Sequence, residues 1–122
     1  MRNQNRKIMK KTSKIIKRIP VENNPDVNQI KVEVYYDKGG PDYYSGGMTK
    51  RGLYLNVKPI KLEDHGGYVT ETFMGFSGYK MHVLEMGRFN QKKLNDYMPT
   101  DDQIDRLVKG VIAKNELNME YA

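Results

Sequence analysis

A chain of 122 residues has the usual size of one domain and can bury a single core without a disulfide or a metal ion. It contains no cysteine, which excludes a disulfide scaffold, a thiol nucleophile and a thiolate zinc site, and which fits a cytoplasmic protein. It has two histidines and no apolar run near the roughly 20 residues of a membrane span. We therefore expect no metal site, no cofactor and no membrane insertion.

The positive charge of the chain is concentrated at its start. The formal net charge is +6, but residues 1–18 carry eight basic side chains and no acidic one. The rest of the chain has 13 basic and 15 acidic residues, so it is close to neutral. Long-range attraction of anions should therefore come from this basic arm. Its cations are Arg2, Arg6, Lys7, Lys10, Lys11, Lys14, Lys17 and Arg18.

The apolar residues of the arm follow a helical period. They recur at spacings of four, three, one and three, which places them on one face of a helix, and Pro20 ends the pattern. The Asn-Asn-Pro-Asp run at 23–26 is typical of a turn or linker. The sequence thus predicts an arm at 1–19, helical or disordered, a linker at 20–28 and one domain at 29–122. The spaced residues are Ile8, Thr12, Ile15, Ile16 and Ile19.

The first part of the body has the alternation of β-strands. Residues 30–37 and 52–58 alternate apolar and polar side chains, and Pro59 suggests that the second strand ends near a sheet edge. Residues 42–45 could add a short strand. Two more strands are predicted at 68–76 and 79–86, joined as a hairpin through Ser77-Gly78. Their alternation is blurred, so the inward face of this pair is left open.

Helical periods replace the strand pattern after Gly87. Apolar residues from Phe89 to Met98 predict a short helix that ends before Pro99. Thr100 and Gln103 have the spacing of a capping box and start a second helix. Its core stripe is Ile104, Leu107, Val108, Val111 and Ile112. Strands followed by helices predict an α+β fold, in which a small antiparallel sheet of about four strands precedes two C-terminal helices.

A stretch of about a quarter of the chain, residues 33–60, carries a resemblance. Its core is YYDKGG at 35–40 and KRGLYLNVKP at 50–59. This strand, Gly-Gly turn, Arg-Gly and Tyr-Leu-x-Val-x-Pro pattern is similar to short uncharacterised proteins from bacterial phage and mobile elements. The chain departs from the pattern at Leu53, where an aromatic residue is more typical. The resemblance implies an accessory protein rather than a metabolic enzyme, and it transfers no functional residue.

Tyrosines interleaved with basic residues form the main candidate site of the body. Aromatic rings beside Lys or Arg on a sheet can stack bases and neutralise phosphates. Alternation puts Tyr35 and Tyr54 on the polar faces of their strands, near Lys50 and Arg51. The competing interpretation is a cross-strand aromatic pair that only stabilises the sheet. Both interpretations remain open at this point.

Other candidate sites have simpler explanations. The glycines of 38–52 match no phosphate-binding motif and suit hairpin turns. His65, beside Asp64, and His82 could serve a metal or a hydrolase, but isolated histidines are more often structural. Asp101, Asp102 and Asp105 fall in a first helical turn, which suits capping better than a cation site.

We therefore predict a non-enzymatic binding module, an accessory protein of a mobile element that contacts nucleic acid through its arm. One alternative is a protein–protein interaction module that docks a host or partner protein. A weaker one is a small hydrolase or transferase. A membrane-surface role is disfavoured because the arm lacks Trp and Phe anchors. Oligomeric state and partner identity are left open by the sequence.

Overall fold

The computed structural model describes residues 12–42, 46–73 and 75–121. Five antiparallel strands form the main sheet, and a two-residue ribbon and two helices complete the fold. In chain order the elements are β1 (Ser13–Pro20), β2 (Gln29–Asp37), β3 (Gly40–Pro41), β4 (Met48–Thr49), β5 (Gly52–Asp64), β6 (Val69–Thr72), β7 (Tyr79–Glu85), α1 (Gln91–Asp96) and α2 (Asp101–Lys114). The predicted α+β class, with an antiparallel sheet and two C-terminal helices, is confirmed.

Strand β5 is the centre of the sheet. It pairs with β2 along 52–60, with β7 along 52–57 and with β6 along 61–64. The order is therefore β1-β2-β5, followed by β6 and β7, which both bond to β5. The ribbon of β3 and β4 lies in the connection between β2 and β5.

One face of the sheet packs on α2 and forms the core. Alternate residues of β2 and β5 are fully buried, as the strand pattern predicts, and they meet the apolar stripe of α2. The capping box of α2 is present, since Thr100 Oγ1 accepts from Gln103 N at 3.1 Å and Gln103 Oε1 accepts from Thr100 N at 2.9 Å. The buried set includes Ile30, Val32, Val34, Leu53, Leu55, Val57, Ile104, Leu107, Val108 and Val111.

Strand β5 continues through Pro59, where the sequence predicted an end. Asn28 donates its backbone N–H to Ile60 O at 3.0 Å, so the backbone groups of Ile60 point toward β2. Successive residues of a strand point to opposite edges, so the backbone nitrogen of Pro59 faces the edge away from β2. On that edge the pairing with β7 stops at Val57 and the pairing with β6 starts at Lys61. Because no ladder partner needs a donor between them, a proline is tolerated in this strand.

The predicted helical arm is wrong where the structure describes it. Ser13–Pro20 is an edge strand paired antiparallel with β2, so this half of the arm belongs to the sheet of the body. A bulge between Ile15 and Lys17 shifts the phase of the strand, which lets Ile16 and Ile19 both pack on the core. The segment predicted as a linker connects β1 to β2 and buries Val21 and Val27. The predicted arm residues 1–11 lie outside the described part of the chain.

The predicted hairpin between residues 68–76 and 79–86 is also wrong. β6 turns back on β5 through His65–Tyr68, whose backbone N–H and C=O bond at 2.9 Å. β7 pairs with the other half of β5 instead of with β6. The segment between them carries Phe73, Phe76 and Gly78 past the middle of β5. Of the short strand predicted at 42–45, only Asp42 lies within the described residues.

Gly52, the first residue of β5, has a backbone that only glycine adopts easily. Its φ is +146°, and an added Cβ would lie 2.0 Å from Leu84 O and 3.0 Å from Glu85 Cα. The Arg-Gly dipeptide of the resemblance therefore has a local structural reason. The missing side chain allows β7 to approach β5 at the register Gly52↔Glu85.

Candidate nucleic-acid interface

The face of the sheet opposite α2 carries the polar side chains of β2, β5 and β7. Cross-strand partners on this outer face are Lys31 with Lys58, Glu33 with Asn56, Tyr35 with Tyr54, and His82 with Tyr54. Both helices pack elsewhere: α2 contacts β5 and β7 on the side of their core-facing apolar residues, and α1 contacts β1 and β2. Among the described residues no helix covers the outer face, and it is the natural place to search for a binding site.

Tyr35 and Tyr54 are neighbours on this face, as the alternation predicts. Their ring centroids are 5.7 Å apart and the rings are stacked at 24°. Tyr54 is only 6% exposed, its hydroxyl donates to Lys50 O at 2.6 Å, and His82 meets its ring edge-on at 5.1 Å. A ring held on several sides offers little surface to a base, so the pair has the geometry of a structural cross-strand contact.

Nearby carboxylates make the electrostatic surroundings of the tyrosine pair negative. The pKa of Tyr35 is raised to about 12. Burial is the largest cause, and the Asp37 carboxylate, the Tyr54 hydroxyl and Glu33 add to it. Burial and Asp37 raise the pKa of Tyr54 as well. Carboxylates that disfavour a phenolate here would repel a phosphate in the same way. The tyrosine end of the face is therefore a poor phosphate site.

The predicted basic partners of these tyrosines have structural roles. The Arg51 guanidinium donates to Lys38 O at 2.8 Å and to Gly87 O at 2.9 Å, which ties two loops to the start of β5. Lys50 accepts the Tyr54 hydroxyl bond through its backbone carbonyl, and its side chain is exposed. The structure brings these residues close to Tyr54 but leaves Arg51 little freedom to bind phosphate.

The arm cations within the described part are divided between the two faces. Lys14 Nζ donates to Asn95 O at 2.9 Å and to Tyr97 O, beside the C-terminus of α1. Burial lowers the pKa of Lys14, partly offset by Asp96. Lys17 Nζ lies 5.8 Å from the Tyr121 ring centroid. These two lysines therefore hold helix α1 and the C-terminal segment near β1, away from the outer face.

Arg18, the third arm cation on β1, does reach the outer face. It bonds to Gln29 Oε1 and lies 3.7 Å from Glu71, which also pairs with Lys31 at 2.9 Å. Burial would raise the pKa of Glu71, but the Lys31 hydrogen bond and the nearby cations lower it overall. This part of the face is an internally neutralised ion-pair network. Arg2, Arg6, Lys7, Lys10 and Lys11, the other predicted arm residues, lie outside the described part.

A cleft beside this network combines cations with accessible aromatic rings. Its volume is about 300 Å³. Lys58 Nζ lies 5.4 Å from the Phe73 ring centroid, and Lys80 Nζ lies 5.5 Å from that of Tyr54. Within the described residues neither lysine has a carboxylate oxygen within 4.0 Å, although Lys58 contributes to the field at Glu71. The lining residues are Asn56, Lys58, Phe73, Phe76, Gly78, Tyr79 and Lys80.

Phe73 is the ring with the most accessible surface in the cleft. It is 56% exposed and separates this cleft from a second one of about 430 Å³, which Glu71 lines. Tyr79 is 39% exposed, but its ring packs against α2, with Lys114 Nζ 3.9 Å from the ring centroid and Gly110 beside it, on the face where its strand partner Val57 is buried. The cleft thus has one open ring, that of Phe73, and two cations.

This cleft is not among the sites predicted from the sequence. Lys58, Phe73, Tyr79 and Lys80 come from three separate segments, and only the pairing of β7 with β5 brings them together. One signal was present: Phe73 follows the polar run Thr70-Glu71-Thr72 at the end of a predicted strand, where no core alternation requires an aromatic residue.

The histidines and aspartates considered as catalytic or metal-binding candidates each make their own structural contacts and do not form a common site. His65 shares a 2.9 Å hydrogen bond with Thr70 and stacks on Tyr68, whereas His82 lies 3.3 Å from Arg51 O. They sit near opposite ends of β5, roughly 30 Å apart along an extended strand, and do not form a pair. Asp105 accepts the Tyr121 hydroxyl at 2.5 Å, and Asp101 and Asp102 begin α2.

In the described ranges no three His, Asp or Glu residues converge as metal ligands, and no helix there has the length and apolar character to cross a bilayer. No protein-family model matches the sequence, and neither a curated protein nor a solved structure is significantly similar to it.

Proposed function

We propose that the protein is a non-enzymatic nucleic-acid-binding module. In this proposal the outer face of the sheet supplies the contact surface, centred on the cleft between β5 and β7, and the basic N-terminal arm adds charge. The observation that carries it is the position of the Lys58 ammonium beside the open ring of Phe73, in a cleft that Lys80 also lines. Cations beside an exposed aromatic ring are what a polyanion with planar bases requires.

Charge distribution supports the same surface. Lys31 and Arg18 are neutralised by carboxylates, so they add little to anion binding. Among the described residues neither Lys58 nor Lys80 has a carboxylate oxygen within 4.0 Å, and residues 1–18 carry eight cations in all. The arm then provides attraction at long range, and the cleft provides the short-range contacts.

A salt titration of binding tests the proposal. The full chain should bind a labelled oligonucleotide with an affinity that falls steeply with salt, measured by fluorescence anisotropy. Replacing both lysines, Lys58→Gln with Lys80→Gln, removes two phosphate contacts. The slope of log K against log salt should then flatten by roughly 1.4 on a single strand, at about 0.7 per contact.

Lys92→Gln is the matched control for this experiment. Lys92 is an exposed lysine of α1 that pairs with Asp96 at 3.0 Å, away from the cleft. Its loss lowers the net charge without touching the proposed surface, so the slope should stay near that of wild type. Full-length protein that binds neither single strands nor duplexes at low salt would remove the proposal.

Exposed apolar residues at the β5–β6 hairpin favour a second candidate, a protein–protein interaction module. Tyr68 is 64% exposed and Val69 is 56% exposed, and both adjoin the turn. Contiguous exposed apolar groups are typical of docking surfaces. Replacing both by serine should leave nucleic-acid binding unchanged if the hairpin serves a different partner. Loss of nucleic-acid binding in that variant would place the hairpin in the same interface.

A further inference from the structure

We infer that the cleft between β5 and β7 is a subsite for one unpaired nucleotide, so that the protein prefers single-stranded nucleic acid to duplex. The inference rests on the proposed function and specifies its substrate class. In this subsite the base stacks on Phe73, and the adjacent phosphates contact Lys58 and Lys80.

The position of the cations relative to the ring is the first support. Lys58 Nζ is 5.4 Å from the Phe73 ring centroid, within the range of a cation–π contact. A phosphate that binds this ammonium would draw it off the ring and leave that face to the adjoining base. Lys80 lines the same cleft from β7, with its Nζ 5.5 Å from the Tyr54 ring centroid, so a second cation lies farther along the cleft from Phe73.

The shape of the cleft is the second support. About 300 Å³ accommodates a group of the size of one base, and Asn56 at the lining offers an amide donor and acceptor to a base edge. In a duplex the bases are stacked and paired, and their faces cannot reach a ring on a protein sheet. The Phe73 ring can therefore be used only by a nucleotide that has left its stack.

The charged residues of the two neighbouring clefts determine on which side of Phe73 a nucleotide can bind. Phe73 and Phe76 are shared by both clefts, but the second is lined by Glu71, whose carboxylate is already bound to Lys31. The described lining of that second cleft contains no cation to bind a phosphate, whereas the first cleft offers Lys58 and Lys80. One face of the aromatic ridge is thus suited to the nucleotide, and the other is not.

The test compares Phe73→Leu with wild type, using a twelve-nucleotide single strand of DNA, the same sequence as RNA, and the DNA duplex. Leucine keeps an apolar side chain of similar size but removes the aromatic face. Affinity for single strands should fall about 5- to 150-fold, the range expected for loss of one stacked base, whereas the salt slope and the weaker duplex binding should hardly change.

Tyr68→Leu is the matched control, because Tyr68 is an exposed ring that lies outside both clefts. It should bind single strands as wild type does. The RNA and DNA arms then show which sugar is accepted. Duplex binding as tight as single-strand binding, or an unchanged Phe73→Leu variant, would overturn the inference while leaving nucleic-acid binding itself intact. Absence of all binding would instead refute the proposed function.

Discussion

Substitution of Gly52 by alanine should destabilise the protein strongly, because two separate costs act at this residue. The first is conformational: with φ at +146°, alanine pays a penalty on the order of 1–2 kcal/mol. The second is steric, since the new Cβ would lie 2.0 Å from Leu84 O and would push β7 away from β5. Overpacking of this kind typically costs about 1–3 kcal/mol, which gives a total of about 2–5 kcal/mol.

Two glycines of one turn provide matched controls for the two costs. Gly66 has φ +80° with open space around it, so Gly66→Ala should pay only the conformational penalty of about 1–2 kcal/mol. Gly67 has open space around it, and its φ lies outside the range of +20° to +160° that disfavours residues with a side chain. Gly67→Ala should therefore be neutral or stabilise the protein by up to about 1 kcal/mol.

Urea unfolding of these three variants, followed by far-UV circular dichroism, measures the differences at constant m-value. The expected order of stability is Gly67→Ala, then Gly66→Ala, then Gly52→Ala. A Gly52→Ala protein within about 1 kcal/mol of wild type would show that β7 does not approach β5 as closely as the register Gly52↔Glu85 requires.

Three further changes test the fold. Leu107→Ala should cost about 2–5 kcal/mol in urea unfolding because Leu107 packs in the core, whereas Thr100→Ala should cost only about 1 kcal/mol for its lost cap. Equal costs would contradict the assigned core. Deleting residues 1–20 should lower the melting temperature and promote association, since it exposes the edge of β2, whereas deleting 1–11 keeps the β1 ladder and serves as control. Identical melting of the two truncations would exclude a structural role for β1. Between pH 10 and 12 stability should fall as pH rises, because folded Tyr35, with its pKa near 12, keeps its proton longer than unfolded tyrosine. Tyr35→Phe should weaken this dependence, and an unchanged pH profile would contradict the burial of that hydroxyl.

Local patterns predicted the parts of the fold that obey one period. Residues 30–37 alternate without interruption, and the capping box at Thr100 marks the start of α2, so both were predicted correctly. Strand β1 was missed because its bulge places Ile16 and Ile19 on the same side of a strand, three residues apart. Three is also a helical spacing, and sequence spacing alone does not distinguish a bulged strand from a helix.

The candidate site was harder to predict because it depends on strand pairing. The pairing of Tyr35 with Tyr54 follows from two adjacent strands, and it was anticipated as one of two alternatives. The cleft requires β7 to pair with the first half of β5 and β6 with the second half. The short sequence of β6 has no clear alternation, so nothing local specified that division.

The division of β5 among three partners also implies a gradient of amide protection along one strand. Residues 53–57 are bonded between β2 and β7, so their amides should exchange with deuterium only when the whole sheet unfolds. Residues 61–64 pair with the four-residue β6 on one edge, and on the other edge only the Asn28 side chain bonds Leu62, so the hairpin can open there without disturbing the core. The same strand should thus contain some of the slowest and some of the fastest exchanging amides of the sheet. Because Phe73 directly follows β6, a nucleotide bound in the cleft should slow exchange at 61–64 while leaving 53–57 unchanged.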